Sequence, residues 1–574
     1  MGYNKEYKRW LESDALSLSE KAELKAIENN EEEKAFRFSG LMSFGTAGLR
    51  STMNMGSMNM NRFTVAQTTR GIAALIKRAG GEERGVAIAY DSRNNSQSYA
   101  KISASVLAGE GIKVYIFDSL RPTPELSFAV RELGAIAGIN ITASHNPKEY
   151  NGYKAYWEDG AQIGPEQAKI VSDEREKFDV LDLSGLLDFD TAVKEGKIEV
   201  LGADFDEKYL DAVEATLTSK TVISDVSEEL RVVYTPLHGA GYKLVPSIFK
   251  RVGLKYLYTV PEQMITDGNF PTVEKPNPEY ANVFKLGIDI ANRVGSDIVI
   301  ATDPDSDRVG VVTRTANGEF ITISGNQMGA LLLDYVINRK RELGTLKENA
   351  YCVKTIVSTE MANKIAKDNG IAISEVLTGF KFIGEVIKKH EEKGDKDGFL
   401  LGFEESYGYL LGPYARDKDA VGAAMSILEM TAYYKKLGMT LGDALSALYE
   451  KYGYFGEKTI DIYMEGYDGI ERRKRLMESL RTDAPKNFAD FKVKKIGDYK
   501  TGLLVDVETG KTEKLDQPSS DVLLYSLDSG DKVIVRPSGT EPKVKIYVLA
   551  SDKNIDALRA KISLLEDYSK NLME

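Results

Sequence analysis

Short apolar runs alternate with amphipathic stretches along most of the chain. Gly85–Tyr90, Ile112–Phe117 and Leu133–Ile141 are of strand length and rich in apolar side chains, so each predicts a buried strand. The same pattern predicts strands over Leu230–Tyr234, Asp297–Ala301, Ala350–Val357 and Phe399–Phe403. Between them, Ser96–Gly109 and Glu360–Asn369 have helical spacing. This alternation predicts an α/β architecture with mostly parallel or mixed sheets, because a crossover helix carries the chain between parallel strands. The C-terminal part differs. Lys532–Arg536 and Lys543–Leu549 read as strands, and a helix follows with Ile555, Leu558, Ile562 and Leu565 on one face. That order predicts a smaller α+β domain. The N-terminal stretch Met1–Ala35 is charged and helix-like rather than a signal peptide.

Ile170–Lys208 is charged and poor in strand signals, and it separates the first α/β unit from the second. Gly318-Glu319-Phe320 separates the second from the third, which ends in the helical region Asp443–Tyr452. Four domains are expected, at residues 1–206, 207–318, 319–450 and 451–574. A chain of 574 residues is long enough for several. With 28% charged and 42% hydrophobic residues, it has the composition of a soluble globular protein. Lys plus Arg is 75 and Asp plus Glu is 87, a formal net charge of −12. This balance argues against a nucleic-acid partner but leaves room for a local basic pocket that takes an anionic metabolite. The single cysteine, Cys352, excludes an intrachain disulfide and reads as a small buried hydrophobe. No apolar run approaches the ~20 residues that span a bilayer. No membrane association is expected, and the cytoplasm is the expected compartment.

Chemistry concentrates in a few loops. Ile139-Asn140-Ile141-Thr142-Ala143-Ser144-His145-Asn146-Pro147 carries an apolar strand into a polar loop with a hydroxyl, an imidazole and a proline. Open α/β sheets place their chemistry at such carboxyl ends. Asp303-Pro304-Asp305-Ser306-Asp307-Arg308 follows the apolar run Ile298–Ala301. Carboxylates at alternate positions of an extended loop project to one side and suit a hard divalent cation such as Mg²⁺. An Asx-rich turn would have the same composition, and an aspartate-nucleophile phosphatase would share the pattern. Arg536-Pro537-Ser538-Gly539-Thr540 offers an arginine fork, two hydroxyls and free backbone N–H groups, the parts of a phosphate cradle. Gly402-Phe403-Glu404-Glu405-Ser406-Tyr407-Gly408 has carboxylates suited to sugar hydroxyls. Two glycine-bearing loops end in Arg50 and in Lys381, the latter within Thr378-Gly379-Phe380-Lys381. Lys154 lies ten residues after Ser144, where a lysine beside a cation or phosphate could act as acid or base.

Together and in this order, the loops resemble those of the α-D-phosphohexomutase superfamily, the phosphoglucomutases and phosphomannomutases. The likeness runs from Phe44 to Arg536. In length, and in Thr235-Pro236-Leu237-His238-Gly239-Ala240-Gly241, the chain looks most like the longer bacterial phosphoglucomutases. The resemblance implies four domains around a central cleft, three similar α/β mixed-sheet domains and a smaller C-terminal α+β domain. It implies a phosphorylated Ser144 and one Mg²⁺ held by Asp303, Asp305, Asp307 and a phosphoserine oxygen. Arg308 and His145 would support the serine loop, and Arg50 and Lys154 would assist transfer. Glu404 and Ser406 would bind sugar hydroxyls, and Arg536, Ser538, Gly539 and Thr540 the phosphate that is not moving. The loop of Thr378, Gly379 and Lys381 would sense substrate orientation. The sugar loop lacks the histidine common in dual-specificity members, which favours glucose over mannose.

The implied reaction interconverts glucose 1-phosphate and glucose 6-phosphate, with glucose 1,6-bisphosphate as intermediate and activator, by a monomer or homodimer. A C-terminal domain that closes over substrate is expected. Phosphomannomutase, phosphopentomutase and glucose-1,6-bisphosphate synthase are alternatives on the same scaffold. The rivals outside it are a phosphatase with an aspartate nucleophile and a binding protein that kept the fold. The latter would have no need of Ser144, the three aspartates and Arg308 together.

Overall fold

The computed structural model describes residues 2–315, 317–464, 469–538 and 543–573. They divide into two compact units. The first comprises Met1–Ile323, Gly384–Phe399 and Tyr407–Thr440, and the second Ser324–Ile383, Leu400–Ser406 and Leu441–Glu574.

The first unit contains two sheets. Six strands, β1 (Leu49–Thr52), β2 (Val86–Tyr90), β3 (Val114–Phe117), β4 (Ala137–Ile141), β5 (Tyr150–Trp157) and β6 (Ile198–Leu201), lie in the order β1-β5-β4-β2-β3-β6. The pairs β2–β3, β2–β4 and β3–β6 are parallel, while β4–β5 and β1–β5 are antiparallel. Helices Ser96–Gly109 and Thr123–Glu132 make the crossovers between the parallel strands. Strands β2 and β4 are buried along their whole length, which is why they read as continuous apolar runs. Strand β4 starts later than its apolar run predicts. Leu133 closes the preceding helix and Gly134 turns through φ +62, so the extended backbone begins at Ala137. Strand β6 lies inside the charged segment read as strand-poor. It occupies a sheet edge with only its two end residues buried, so half of its apolar signal is missing.

The second sheet of this unit has β7 (Arg231–Thr235), β8 (Tyr256–Thr259), β9 (Ile298–Thr302), β10 (Val309–Arg314) and β11 (Phe320–Ile323) in the order β11-β10-β9-β7-β8. Both sheets are mixed, as the alternation predicts. The N-terminal stretch forms helices Gly2–Glu12, Leu18–Ala26 and Glu31–Phe38. They bury Tyr7, Trp10, Leu24 and Phe38 against Phe63 and Val180, with Trp10 edge-on to Phe63 at 5.4 Å.

In the second unit the strands Ala372–Val376, Tyr351–Thr355 and Phe399–Glu404 lie side by side in that order, the first two parallel. Cys352 is fully buried there, as its apolar neighbours predict. The C-terminal region forms an eight-stranded antiparallel sheet carrying helices Gly469–Thr482 and Ile555–Met573. Leu523, Val533, Val535, Ile546, Val548 and Leu565 form its core. The two strands and final helix read from the sequence are present. The further strands before them, such as Phe491–Asp498 and Leu503–Asp506, bury one face or none and so carry little apolar signal.

Candidate active site

Ser144 lies just beyond β4, where the parallel strands end. It is buried, with φ +54. Left-handed backbone is uncommon outside glycine and persists only when its surroundings impose it. Two residues do so here. The Thr142 hydroxyl accepts the Ser144 N–H at 2.8 Å and donates to Asp91 at 2.6 Å. Arg93, from the loop after β2, is buried beneath the serine loop. Its guanidinium donates to the carbonyls of Ser144 (2.6 Å), Pro147 (2.8 Å) and Tyr150 (3.0 Å), and also to that of Asn146. Arg93 in turn lies over the Phe270 ring at 5.1 Å. The loop is thus gripped by its carbonyls, and the Ser144 hydroxyl is left for chemistry. That hydroxyl donates to Asp303 Oδ2 at 3.0 Å and lies 3.1 Å from His145 Nδ1. Burial, then Arg308, Arg50 and Arg93, hold His145 well below the usual imidazole range. Arg50 Nη1, on β1, donates to Asn146 Oδ1 at 3.0 Å.

The aspartate loop follows β9. Its residues are not extended as predicted. Asp303–Asp307 is a turn with Ser306 at φ +53, and the turn rather than strand alternation gathers the carboxylates. The Leu237–Ala240 segment backs it. There the Ala240 N–H donates to the Pro304 carbonyl at 2.8 Å. A Cβ at Gly239 would lie 2.4 Å from Pro304 Cα, so only glycine fits. One oxygen from each of Asp303, Asp305 and Asp307 lies within 4.8 Å of the others, and all three residues are buried.

Two such charges ~4 Å apart repel by about 4 kcal/mol at an effective dielectric of 20, so burying three requires positive partners. Two are lysines. Lys154 Nζ, brought in by β5, lies 2.7 Å from Asp305 Oδ2 and 3.2 Å from Asp307 Oδ2. Lys418 Nζ lies 2.9 Å from Asp307 Oδ2. Burial raises the Asp307 carboxyl pKa, but Lys154, Lys418 and Arg308 outweigh it and hold the group well below the usual range. Asp303 goes the other way. Burial and the charges of Asp305 and Asp307 push it well up. Asp305 Oδ1 and Asp307 Oδ1 are buried with no hydrogen-bond partner among the described residues. Orphaned carboxylate oxygens beside a serine hydroxyl are a donor set for a hard divalent cation, and the cluster could hold one. Arg308 instead reaches Glu279 at 2.5 Å, with its Nε 4.0 Å from Asp307.

In the second unit, Glu404 is buried at the end of its strand, and its Oε1 accepts the N–H of Gly379 at 2.8 Å. Gly379 has φ +125, a conformation that side-chain-bearing residues rarely take. The Thr378–Lys381 loop and the sugar-type loop are therefore joined. Ser406 Oγ lies 3.1 Å from Glu405 Oε1, and Thr355 Oγ1 donates to Glu405 Oε2 at 3.3 Å. Burial lowers the Lys381 pKa. Arg536 lies on the C-terminal sheet opposite Lys545, and the Ser538 N–H donates to the Lys543 carbonyl at 2.8 Å, closing the base of the predicted phosphate loop. The Tyr547 phenol is pushed up by burial and by Glu405, against Arg536. Gly539 and Thr540 lie outside the described residues.

Several residues of this site escape a reading of the sequence. Arg93 follows a predicted strand in Asp91-Ser92-Arg93, and that strand-end position was its only signal. Lys418 belongs to the charged run Arg416-Asp417-Lys418-Asp419 before an apolar helix. Asp417 orients it, itself accepting the Tyr156 hydroxyl at 2.8 Å.

Three family models match the chain. They are the phosphoglucomutase/phosphomannomutase alpha/beta/alpha domains I, II and III, at residues 41–179, 207–318 and 324–452. The chain belongs to the phosphoglucomutase/phosphomannomutase family. It is 37% identical over 544 residues to a phosphoglucomutase of Staphylococcus saprophyticus, covering 95% of this chain and 96% of that one. It is 35% identical to a phosphoglucomutase of Staphylococcus aureus, covering 92% and 93%. A solved phosphoglucomutase/phosphomannomutase family protein from Burkholderia thailandensis, 19% identical, shares the fold with a TM-score of 0.64 over 92% of this chain and 96% of its own. Family membership makes the chain an enzyme, a phosphotransferase of the isomerase class, with three α/β domains and a sheet-rich C-terminal domain. No described helix is long and apolar enough to cross a membrane.

Proposed function

We propose that the protein interconverts glucose 1-phosphate and glucose 6-phosphate through a phosphoserine at Ser144, with glucose 1,6-bisphosphate as intermediate and activator. The observation that carries this reading is the Ser144 hydroxyl, hydrogen-bonded at 3.0 Å to a cluster of three buried carboxylates. The glucose-type loop Glu404-Glu405-Ser406 and the likeness to two staphylococcal phosphoglucomutases support the sugar.

In this reading the phosphoryl group leaves Ser144 for the free hydroxyl of the bound sugar phosphate. The serine P–O bond breaks, a new P–O bond forms to the sugar, and the proton that the sugar hydroxyl gives up is matched by the one that the Ser144 oxygen takes on as it becomes a hydroxyl again. The bisphosphate then turns and returns its other phosphoryl group to Ser144. Such a transfer needs positioning and charge neutralisation more than covalent help. Arg93 and Thr142 fix the serine backbone, while Lys154 and Lys418 supply positive charge beside the Asp305 and Asp307 carboxylates. His145 Nδ1 adds a hydrogen-bonding atom beside the Ser144 hydroxyl. Asp303, Asp305 and Asp307 would hold one Mg²⁺, which when bound supplies Lewis-acid stabilisation of charge on the moving group. Arg50 would assist transfer, and Arg308 would steady the aspartate turn. Glu404, Ser406 and the Thr378-Gly379-Lys381 loop would take the sugar, and Arg536, Ser538, Gly539 and Thr540 the resting phosphate. The four-domain division at 206, 318 and 450 and a cytoplasmic location belong to the same proposal.

Radiolabelled glucose 1,6-bisphosphate should leave base-labile label on Ser144, and none in Ser144→Ala. In a coupled assay that variant should lose at least about 10³-fold in turnover, the scale expected when a covalent carrier is removed. Label on an aspartate, or near-normal turnover of Ser144→Ala, would refute the reading. Mannose and ribose phosphates assayed alongside would test the preference for glucose.

A further inference from the structure

The aspartate turn is also held from a side that the phosphoryl chemistry does not use. Thr123 opens the helix Thr123–Glu132, and its backbone N–H is among the first donors of that helix, which have no intrahelical partner. It donates to the Asp305 carbonyl at 2.8 Å. The Thr123 hydroxyl donates to Asp305 Oδ2, also at 2.8 Å. Asn140 Nδ2, on β4 four residues before Ser144, donates to that same hydroxyl oxygen at 2.7 Å. Thr123, Asn140 and Asp305 are each 0% exposed, so bulk solvent does not reach these bonds.

A threonine hydroxyl has one proton and accepts through its lone pairs. The amide nitrogen facing it can only donate. The hydroxyl oxygen is therefore engaged as acceptor, and its one proton points at the carboxylate. Had Asn140 turned its oxygen inward, two acceptors would compete for that proton. Asp305 Oδ2 is thus occupied by Thr123 and Lys154, while Oδ1 is buried without a partner among the described residues. A carboxylate rotates about a broad, two-fold torsion, so which oxygen faces the cluster has to be imposed. Lys154 is a poor sole anchor, because its stem is flexible and its ammonium bridges to Asp307 as well.

We propose that Thr123, aimed by Asn140, is a positioning residue that fixes the Asp305 carboxylate with Oδ2 turned away and Oδ1 presented to a divalent cation. Thr123 does this as a neutral donor, so it orients the ligand without cancelling the charge the cation needs. It also ties the strand that delivers Ser144 to the turn that delivers the aspartates. This inference rests on the metal reading of the aspartate cluster given above.

Mn²⁺ binding to the full chain with unphosphorylated Ser144, followed by electron paramagnetic resonance and calorimetry, tests it without reference to turnover. Residues that orient metal ligands typically change affinity by about 10–100-fold when lost. Thr123→Val keeps the side-chain shape and removes the hydroxyl, so its Kd for Mn²⁺ should rise at least about tenfold. Thr123→Ser restores the hydroxyl and should return Kd to within about twofold of wild type. Asn140→Leu, which leaves Thr123 in place but unaimed, should give a smaller rise and serves as the second variant should Thr123→Val fail to fold. Equal Mn²⁺ affinity in wild type, Thr123→Val and Asn140→Leu, with Asp305→Asn binding weakly, would overturn the role of Thr123 alone. A wild-type chain that takes no Mn²⁺, or an Asp305→Asn variant that binds as wild type does, would overturn the metal reading and this inference with it.

Discussion

Lys418 carries more of the proposed chemistry than its place in a charged run suggests. It is one of two ammonium groups on Asp307, at 2.9 Å, and Asp417 and Tyr156 hold it there. Hydrogen bonds to charged groups contribute about 1.5–3 kcal/mol each, so losing one at the transferring centre corresponds to about 10–150-fold. Lys418→Met should therefore lower kcat by about 100-fold in the coupled assay. Asp417→Asn, which only loosens the lysine, should have a smaller effect; equal, near-normal rates in both would remove Lys418 from the mechanism. At this scale the sequence is legible where chemistry is local. Ser144 with His145, and the alternating aspartates, announce themselves within a few residues. Arg93 does not, because the serine-loop groups it holds lie 51 or more positions away and are backbone carbonyls with no signature of their own. Lys418 reaches Asp307 across 111 positions for the same reason, and only the fold reveals the pairing.

At the scale of elements, the segment Asp267–Val273 acts as a brace between the supports of the serine loop and of the aspartate turn in the first unit. Phe270 is buried at φ +47 beneath the Arg93 guanidinium. Asn269 Oδ1 accepts from Asn94 Nδ2 at 3.1 Å, and Thr272 Oγ1 lies 2.9 Å from His238 Nε2. His238 belongs to the turn that backs Pro304, so one loop touches both the support of Ser144 and the support of the aspartates. A desolvated cation–ring contact contributes up to about 2 kcal/mol. Phe270→Leu, which keeps bulk and loses the ring, should lower kcat about tenfold with KM for the sugar phosphate unchanged, and Phe270→Tyr should be near normal. A rise in KM alone would show that the brace shapes binding instead. This loop had no legible role, and neither did strand β8 before it, whereas strand β9 after it did. Strands β2, β4 and β9 are buried on both faces and appear as unbroken apolar runs. Strand β6 and the C-terminal edge strand Thr512–Lys514 are not, because an exposed edge leaves few apolar positions to recognise.

For the molecule as a whole, the resemblance made the family legible from a handful of loops, while the way those loops divide between the two units is a property of the fold alone. Ser144, His145, Lys154, Lys418 and all three aspartates belong to the first unit, and the sugar-type and phosphate loops to the second. Each unit also has a buried core of its own. A ligand that binds only a folded unit stabilises that unit by mass action, by about 2.7 kcal/mol at one hundred times its Kd. Divalent cation should therefore act on one unit only. Calorimetric unfolding should resolve two transitions, and saturating Mg²⁺ should raise one midpoint by a few degrees, since about 1 kcal/mol moves a large domain by only about 2 °C. Asp305→Asn should abolish that shift while leaving the other transition in place. If Mg²⁺ moved both midpoints together in wild type, or still moved one in Asp305→Asn, the cation would be acting elsewhere than on this cluster. Because Ser144 lies within the same unit, its phosphorylation should act on the same transition as the cation and leave the second where it is.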